Sequence, residues 1–210
     1  MKLSEIAGYK NNHPHYQAAN TIFKNPPEDA GPLAKYTGEY QRSDQLAIWE
    51  KHMTDNGFHH LGTGNYGSAY EKEGYPWVFK IMKDDPGFMY YMKYSKENQN
   101  NPNVPRVRGD FIKINETTFV IRIEKLSPMS NTFFNNEFNN IVPIMRMFSK
   151  REMEDLDQDY QEILLRFKDK FPGVFKIIYD MAKTHYLLDI SSRNMMMRGD
   201  VPVITDPVFE

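Results

Sequence analysis

Near the end of the chain, Asp189-Ile190-Ser191-Ser192-Arg193-Asn194 is followed by Ile204-Thr205-Asp206, so two carboxylates and one amide recur in close order. Phosphoryl transfer to a hydroxyl needs one carboxylate beside the accepting oxygen. It also needs an amide and a second carboxylate to hold Mg²⁺ against the phosphates. The D-x-x-x-x-N run and the later Asp supply those groups in that order, although either half alone is also what loop-capping Asp and Asn provide. An earlier run, Gly62-Thr63-Gly64-Asn65-Tyr66-Gly67, reads G-x-G-x-x-G. In a dinucleotide-binding fold such glycines open a helix, whereas here Ser68-Ala69-Tyr70-Glu71 alternates like a strand. The Gly-Lys-Ser/Thr of a Walker-type loop is missing. What remains is either a plain turn with incidental glycines or a hairpin whose backbone can lie close over phosphates, with Tyr66 at its tip as a lid. Lys80, in Trp77-Val78-Phe79-Lys80, follows after a short turn. A Lys among apolar residues of a central strand must reach the surface or meet an anion, because an unpaired buried charge is costly.

These residues need a sheet and then helices to hold them. The pattern from 58 to 124 is of short β-rich runs at 58–61, 68–71, 77–82, 107–114 and 117–124, with turns at Gly74-Tyr75-Pro76 and Asn115-Glu116. A helix over 87–99 is inserted between the third and fourth runs and ends at the Asn-Pro cluster of 100–105. Before the sheet, Ser43 is placed as an N-cap for a helix carrying Leu46, Ile48, Trp49 and Met53, stopped by Gly57. Residues 1–42 read as loops around one short helix near 16–23. After Met129 the chain turns helical, with Met153, Leu156, Tyr160, Ile163, Leu164 and Phe167 on one stripe, and a further helix from Pro172 to about Tyr186. Two short strands at 195–197 and 203–205, joined by Gly199-Asp200, close the sequence. The expected fold is α+β, a two-lobed arrangement divided as 1–42 (extension), 43–126 (sheet lobe with its preceding helix) and 127–210 (a minimal, truncated, mostly helical lobe).

The chain of 210 residues is 40% hydrophobic and 14% aromatic, enough for one sizeable core or two small lobes sharing a cleft. A net charge of -2 offers no global attraction to nucleic acid or an anionic membrane, so neither is expected as a direct partner. With no Cys, thiolate metal sites, disulfides and Cys nucleophiles are excluded. No run approaches the ~18 apolar residues of a membrane span, and the N-terminus lacks a signal-peptide core, so the expected location is cytoplasmic. His59-His60 and His13-x-His15 lack further ligands at metal-binding spacing.

The combination resembles a family, the early serine/threonine protein kinases of T-seven-like (autographivirus) lytic bacteriophages, distant relatives of eukaryotic-type protein kinases. It runs from about Gly57 to Phe209 through the glycine loop, the Val78-Phe79-Lys80 strand, Asn103-Val104-Pro105, Asp189 to Asn194, and most specifically Gly199-Asp200-Val201-Pro202-Val203-Ile204-Thr205-Asp206-Pro207-Val208. The resemblance implies a protein-kinase-like fold using ATP and Mg²⁺, acting in the host cytoplasm on Ser and Thr of host proteins, including transcription and RNA-processing machinery; the chain itself is a further candidate substrate. It implies that Gly62, Gly64 and Gly67, with Thr63, Asn65 and Tyr66 between them, cover the phosphates, and that Lys80 orients them. Asp189 would position or deprotonate the acceptor, and Asn194 and Asp206 would bind Mg²⁺. Ile123-Glu124-Lys125-Leu126 falls where kinases place the adenine-pairing hinge, and Leu61, Ala69, Val78 and Met196 would sandwich the ring. Each of these apolar residues could equally be ordinary core.

Departures from the kinase pattern are specific. Leu187-Leu188 replaces His-Arg before Asp189, so no Arg reads a phosphorylated activation loop, and activity is expected not to need that switch. Pro207-Val208 replaces Phe-Gly after Asp206. Ser191 stands where a Lys is common, leaving Arg193 as a substitute. Glu97 is at the right separation to pair with Lys80, yet an exposed i, i+4 partnership with Lys93 is the simpler role. Two other classes fit part of the pattern: a small-molecule kinase of the aminoglycoside type, whose acceptor pocket would come from residues 127–171, and a pseudokinase-type nucleotide-binding module that inhibits a host factor by contact.

Overall fold

The computed structural model describes residues 22–27, 44–64, 66–148 and 155–209. The Ser43 cap, Met153, Asn65 and most of the 16–23 helix lie outside the described residues, and residues 22–24 are helical. Helix α1 (Asp44–Asp55) precedes strands β1 (His59–Thr63), β2 (Gly67–Glu71) and β3 (Trp77–Lys83), then α2 (Pro86–Glu97), β4 (Val107–Lys113) and β5 (Thr118–Glu124). Then come β6 (Ser127–Pro128), α3 (Asn131–Glu137), α4 (Ile141–Phe148), α5 (Gln158–Lys170) and α6 (Pro172–Ala182). The chain continues through β7 (Leu187–Leu188), a 3₁₀ turn (Ser192–Asn194), β8 (Met195–Arg198), β9 (Val201–Ile204) and β10 (Val208–Phe209). The architecture is mixed α+β, as the sequence implies, and its strands β1 to β5 form one antiparallel sheet in the order β1-β2-β3-β5-β4.

The chain forms two compact units, one of residues through Asp84 with Arg108–Ile123, the other of Asp85–Val107 with Glu124 onward. In the first, Trp49 and Met53 lie one helical turn apart on α1 and are fully buried with Phe58, Tyr70, Phe79, Ile81 and Val120. Phe58 and Phe79 meet edge to face at 5.3 Å between centroids. This apolar cluster covers one face of the sheet. Gly57 ends α1, its N–H donating to Thr54 O at 2.9 Å.

In the second unit, α2 begins one residue earlier than the sequence pattern implies, because Asp85 accepts the Phe88 N–H as an N-cap and Pro86 takes the first helical position. An aromatic cluster of Phe134, Phe138, Phe167 and Phe171 packs α3 against α5. Helix α6 stops at Ala182, short of the expected Tyr186. The Thr184 N–H and hydroxyl both donate to Met181 O, at 3.0 and 2.7 Å, and turn the chain. The strand pair β7–β10 and the short β6 are absent from the sequence reading. Strand β9 is the edge of the three-stranded sheet β6-β8-β9. Its hairpin with β8 turns at Gly199-Asp200, where Gly199 adopts φ +59°, a conformation open to glycine at no steric cost.

Candidate functional site

The glycine hairpin is part of the first unit. His60 pairs with Tyr70 but Gly62 pairs with Ala69, so Leu61 is the extra residue of a β-bulge, and it is 50% exposed. The hairpin closes through Gly64 N–H to Gly67 O at 2.8 Å. A chain of hydroxyls, Thr63 Oγ1 to Ser68 Oγ at 2.8 Å and to His60 Nε2 at 2.9 Å, ties its base. Tyr66, at the tip, is tied to β3. Its carbonyl accepts the Lys83 N–H at 2.8 Å and its ring lies 4.9 Å from Lys83 Nζ.

The three glycines are not equivalent. A Cβ on Gly67 would stand 2.7 Å from Met82 Cα and closer still to Ile81 O, so the β2–β3 pairing itself demands glycine there. A Cβ on Gly62 would meet nothing within 4 Å, and one on Gly64 only Gly67 O at 4.0 Å. Neither takes a positive φ. The fold thus requires glycine at 67 and leaves room for a side chain at 62 and 64.

Residues opposite one another in an antiparallel pair project to the same face. Tyr70 pairs with Phe79 in the apolar cluster, so the next pair, Ala69 with Lys80, projects from the opposite face, which Val78 and Gly62 share. Four residues expected at a nucleotide site therefore share one sheet face, away from the core. Lys80 is half-buried.

In the second unit, two short pairings assemble the acidic cluster. Leu188 pairs with Val208, and the Asp189 N–H donates to Pro207 O at 2.7 Å, which draws Asp189 alongside the residues that follow Asp206. The β8–β9 hairpin extends by the Thr205 N–H donating to Asn194 O at 2.8 Å, which sets Asn194 across from the residue preceding Asp206. Asn194 Nδ2 donates to Asp189 Oδ2 at 2.8 Å and to Asp189 O at 2.9 Å. With its amide nitrogen committed to Asp189, its Oδ1 faces away from that residue. An amide oxygen and a nearby carboxylate are hard donors of the kind Mg²⁺ takes, usually one or two per ion with water and phosphate completing the shell. Among the described residues no group of three or more His, Asp or Glu gathers as a metal cage. Ser191 Oγ, in the same loop, is buried with no hydrogen-bond partner, and Arg193 is exposed.

Of the remaining expected residues, Glu97 is exposed at the last position of α2, and Met196 lies in β8 opposite Val203. Leu126 is half-buried beyond β5. Glu124 has a structural task. Its carboxylate holds the Arg198 guanidinium, with Arg198 Nε at 2.9 Å, and accepts the Arg106 N–H at 2.7 Å. Its own N–H donates to Arg106 O at 3.0 Å, so a contact to a base from this residue would come through its carbonyl.

The family model described as "Bacteriophage T7 protein kinase 0.7" matches residues 25–209. The chain belongs to this family. The match takes in the glycine hairpin, Lys80 and the acidic cluster. No curated protein matches the chain. Among solved structures, Rad53 1-466 in complex with AMP-PNP is similar at 16% identity with a TM-score of 0.39, over 79% of this chain and 42% of that one. The chain thus spans about two fifths of the Rad53 chain. Among the described residues no helix of this family member is long and apolar enough to cross a membrane.

Proposed function

We propose that the protein is a phage-encoded serine/threonine protein kinase that transfers the terminal phosphoryl group of ATP, with Mg²⁺, to host proteins in the bacterial cytoplasm and to itself. The observation that carries this reading is the bond from Asn194 Nδ2 to the Asp189 carboxylate. It holds the Asp189 carboxylate as aligning an acceptor hydroxyl would require and leaves the Asn194 oxygen for a cation, which supports the reading. Gly62 and Gly64, glycines the fold does not require, lay bare backbone against the phosphates, and Lys80 adds positive charge. Mg²⁺, when bound, neutralises charge on the transferring phosphates. Asn194 and Asp206 would hold it, Asp189 would align the hydroxyl and accept its proton, and the exposed Arg193 would stand in for the missing Lys at Ser191. Leu61, Ala69, Val78, Leu126 and Met196 are the apolar residues assigned to the adenine. Family membership supports the choice of a protein acceptor.

The test is transfer from labelled ATP to host lysate proteins and to the chain itself, comparing wild type with Asp189→Ala and Asp206→Ala. The expected result is labelled Ser and Thr in wild type and at least a hundredfold loss in both variants. Nucleotide binding without transfer by the wild type would replace the kinase with a binding module, and label on a small hydroxylated metabolite would replace the acceptor class.

A further inference from the structure

We infer that Tyr91 and Asn103 are positioning residues for Asp206, clamping the free edge of β9 so that the following carboxylate is presented in one backbone geometry. The inference rests on the proposed metal-holding role of Asp206. As the edge of its sheet, β9 has one side paired to β8 and one side whose backbone groups need other partners. Segment 91–103 supplies all of them. Asn103 Nδ2 donates to Pro202 O at 2.6 Å, the Ile204 N–H donates to Asn103 O at 3.0 Å, and Tyr91 Oη donates to Ile204 O at 2.8 Å. Pro202 sits where an edge strand tolerates a missing N–H. The residues around Asp206 are thereby fixed in succession: Ile204 by Asn103 and Tyr91, Thr205 by Asn194, Pro207 by Asp189.

The geometry of the clamp is itself over-determined. Tyr91 is fully buried. Burial, the largest influence, pushes its hydroxyl above the ordinary phenol range. The Asn103 N–H is held by Asn101 Oδ1 at 2.9 Å, and Asn101 Nδ2 donates to Gly173 O at 3.0 Å. A Cβ on Gly173 would come within 2.5 Å of Asn101 Oδ1, so α6 closes behind the loop at its glycine. Asn103 belongs to the Asn-Val-Pro run that the resemblance singles out, and the clamp gives that run a physical task.

Tyr91→Phe removes one oxygen and leaves the ring. Tyr94→Phe, on the same helix, removes the bond from Tyr94 Oη to Asp180 Oδ2 at 2.6 Å and serves as a control for loss of a tether on α2 without a bond to β9. Mn²⁺ binding in the presence of ADP, followed by water-proton relaxation, reads the metal site apart from turnover. Phosphoryl transfer then gives the half-saturating Mg²⁺, kcat and the acceptor KM. Tyr91→Phe is expected to weaken Mn²⁺ binding and raise the Mg²⁺ requirement roughly fivefold to tenfold, with kcat falling and the acceptor KM unchanged. Tyr94→Phe is expected to lower the melting temperature while leaving the metal readings as in wild type. Asn103→Asp, which faces an oxygen toward Pro202 O, is expected to reproduce the metal defect. Equal metal affinity in the Tyr91 and Tyr94 variants overturns the clamp alone; a wild-type chain that binds no Mn²⁺ with ADP overturns the clamp and the proposed function together.

Discussion

Alanine substitutions at the three glycines should separate what the fold requires from what a phosphate requires. At Gly67 the new methyl would sit 2.7 Å from Met82 Cα and 2.9 Å from Ile81 C, and both are backbone, so no side chain can swing away. Relief means parting β2 from β3 where Gly67 opposes Met82. Overpacking of this kind costs about 1–3 kcal/mol, and a backbone clash belongs at the upper end. A cost of about 3 kcal/mol lowers the melting temperature of a chain this size by roughly 6–12 °C. At Gly62, in β1, the methyl meets nothing within 4 Å, and replacing a strand glycine recovers about 0.5–1 kcal/mol of backbone entropy, a rise of roughly 1–4 °C. Gly64→Ala should leave stability near wild type. The affinity for Mg·ATP should behave in the opposite sense. A methyl at 62 or 64 would hold phosphates off the backbone and weaken binding about tenfold or more, equivalent to roughly 1.4 kcal/mol. Differential scanning calorimetry and calorimetric titration with a non-hydrolysable ATP analogue measure the two quantities on the same samples. Uniform destabilisation by all three substitutions would refute the hairpin geometry. Wild-type nucleotide affinity in stable Gly62→Ala and Gly64→Ala proteins would refute the phosphate-covering role.

Arg198→Ala should cost about 2–3 kcal/mol in chemical denaturation. It strips the half-buried Glu124 carboxylate of its partner and frees Pro102 O and Val104 O, which Arg198 holds at 2.6 and 3.0 Å. Arg198→Lys should recover little, since one ammonium cannot span the carboxylate and both carbonyls. Asp85→Ala, which deletes the α2 cap, should cost about 1 kcal/mol in the same assay. Burial first, then the bond to Asp180, raises the Tyr94 hydroxyl above its usual value of 10.0, and burial raises Tyr91 as well. Above about pH 10 the unfolded chain therefore loses phenolic protons that the folded chain keeps. Stability should be undiminished by these two groups below pH ~10 and fall as pH rises past it. In Tyr91→Phe and Tyr94→Phe that decline should be shallower, and tyrosinate absorbance should show the late-titrating groups only on unfolding.

The elements were legible wherever one period ran unbroken. The alternation of β3 and the i, i+4 pair Trp49 and Met53 located a sheet and the helix behind it, and the turns at Gly74 and Gly199 fell where glycine takes φ of +71° and +59°. What escaped were features without a local signature. Leu187–Leu188 and Val208–Phe209 are too short to read as strands, yet their pairing is what lays Asp189 beside Pro207. Asp85-Pro86 does carry a cap signature, and reading it would have started α2 in the right place. The stop at Ala182 depends on one threonine taking a carbonyl, a competition that helix propensity does not register.

The acidic residues were chosen by type and order, but order alone could not say how Asp189 and Asn194 act on each other. An i, i+5 spacing is neither a helical nor a strand neighbour relation. It becomes a contact because the 3₁₀ turn Ser192–Asn194 doubles the chain back, with the Asn194 N–H donating to Ser191 O at 3.0 Å. That turn is followed at once by β8, whose partner β9 is gripped by Asn103 and Tyr91 from the other side. The asparagine is thus fixed at both ends, by the loop it closes and by the strand it begins. The backbone bonds from the Asn194 N–H to Ser191 O and from the Thr205 N–H to Asn194 O would survive replacement by aspartate. Aspartate would, however, set two carboxylates against each other where Nδ2 now donates to Asp189 at 2.8 Å. Asn194→Asp should therefore lower turnover by releasing Asp189 while Mn²⁺ binding, read separately, is retained, because a carboxylate oxygen ligates the ion as the amide oxygen would; loss of Mn²⁺ binding as well would refute that division of the two ends of the amide.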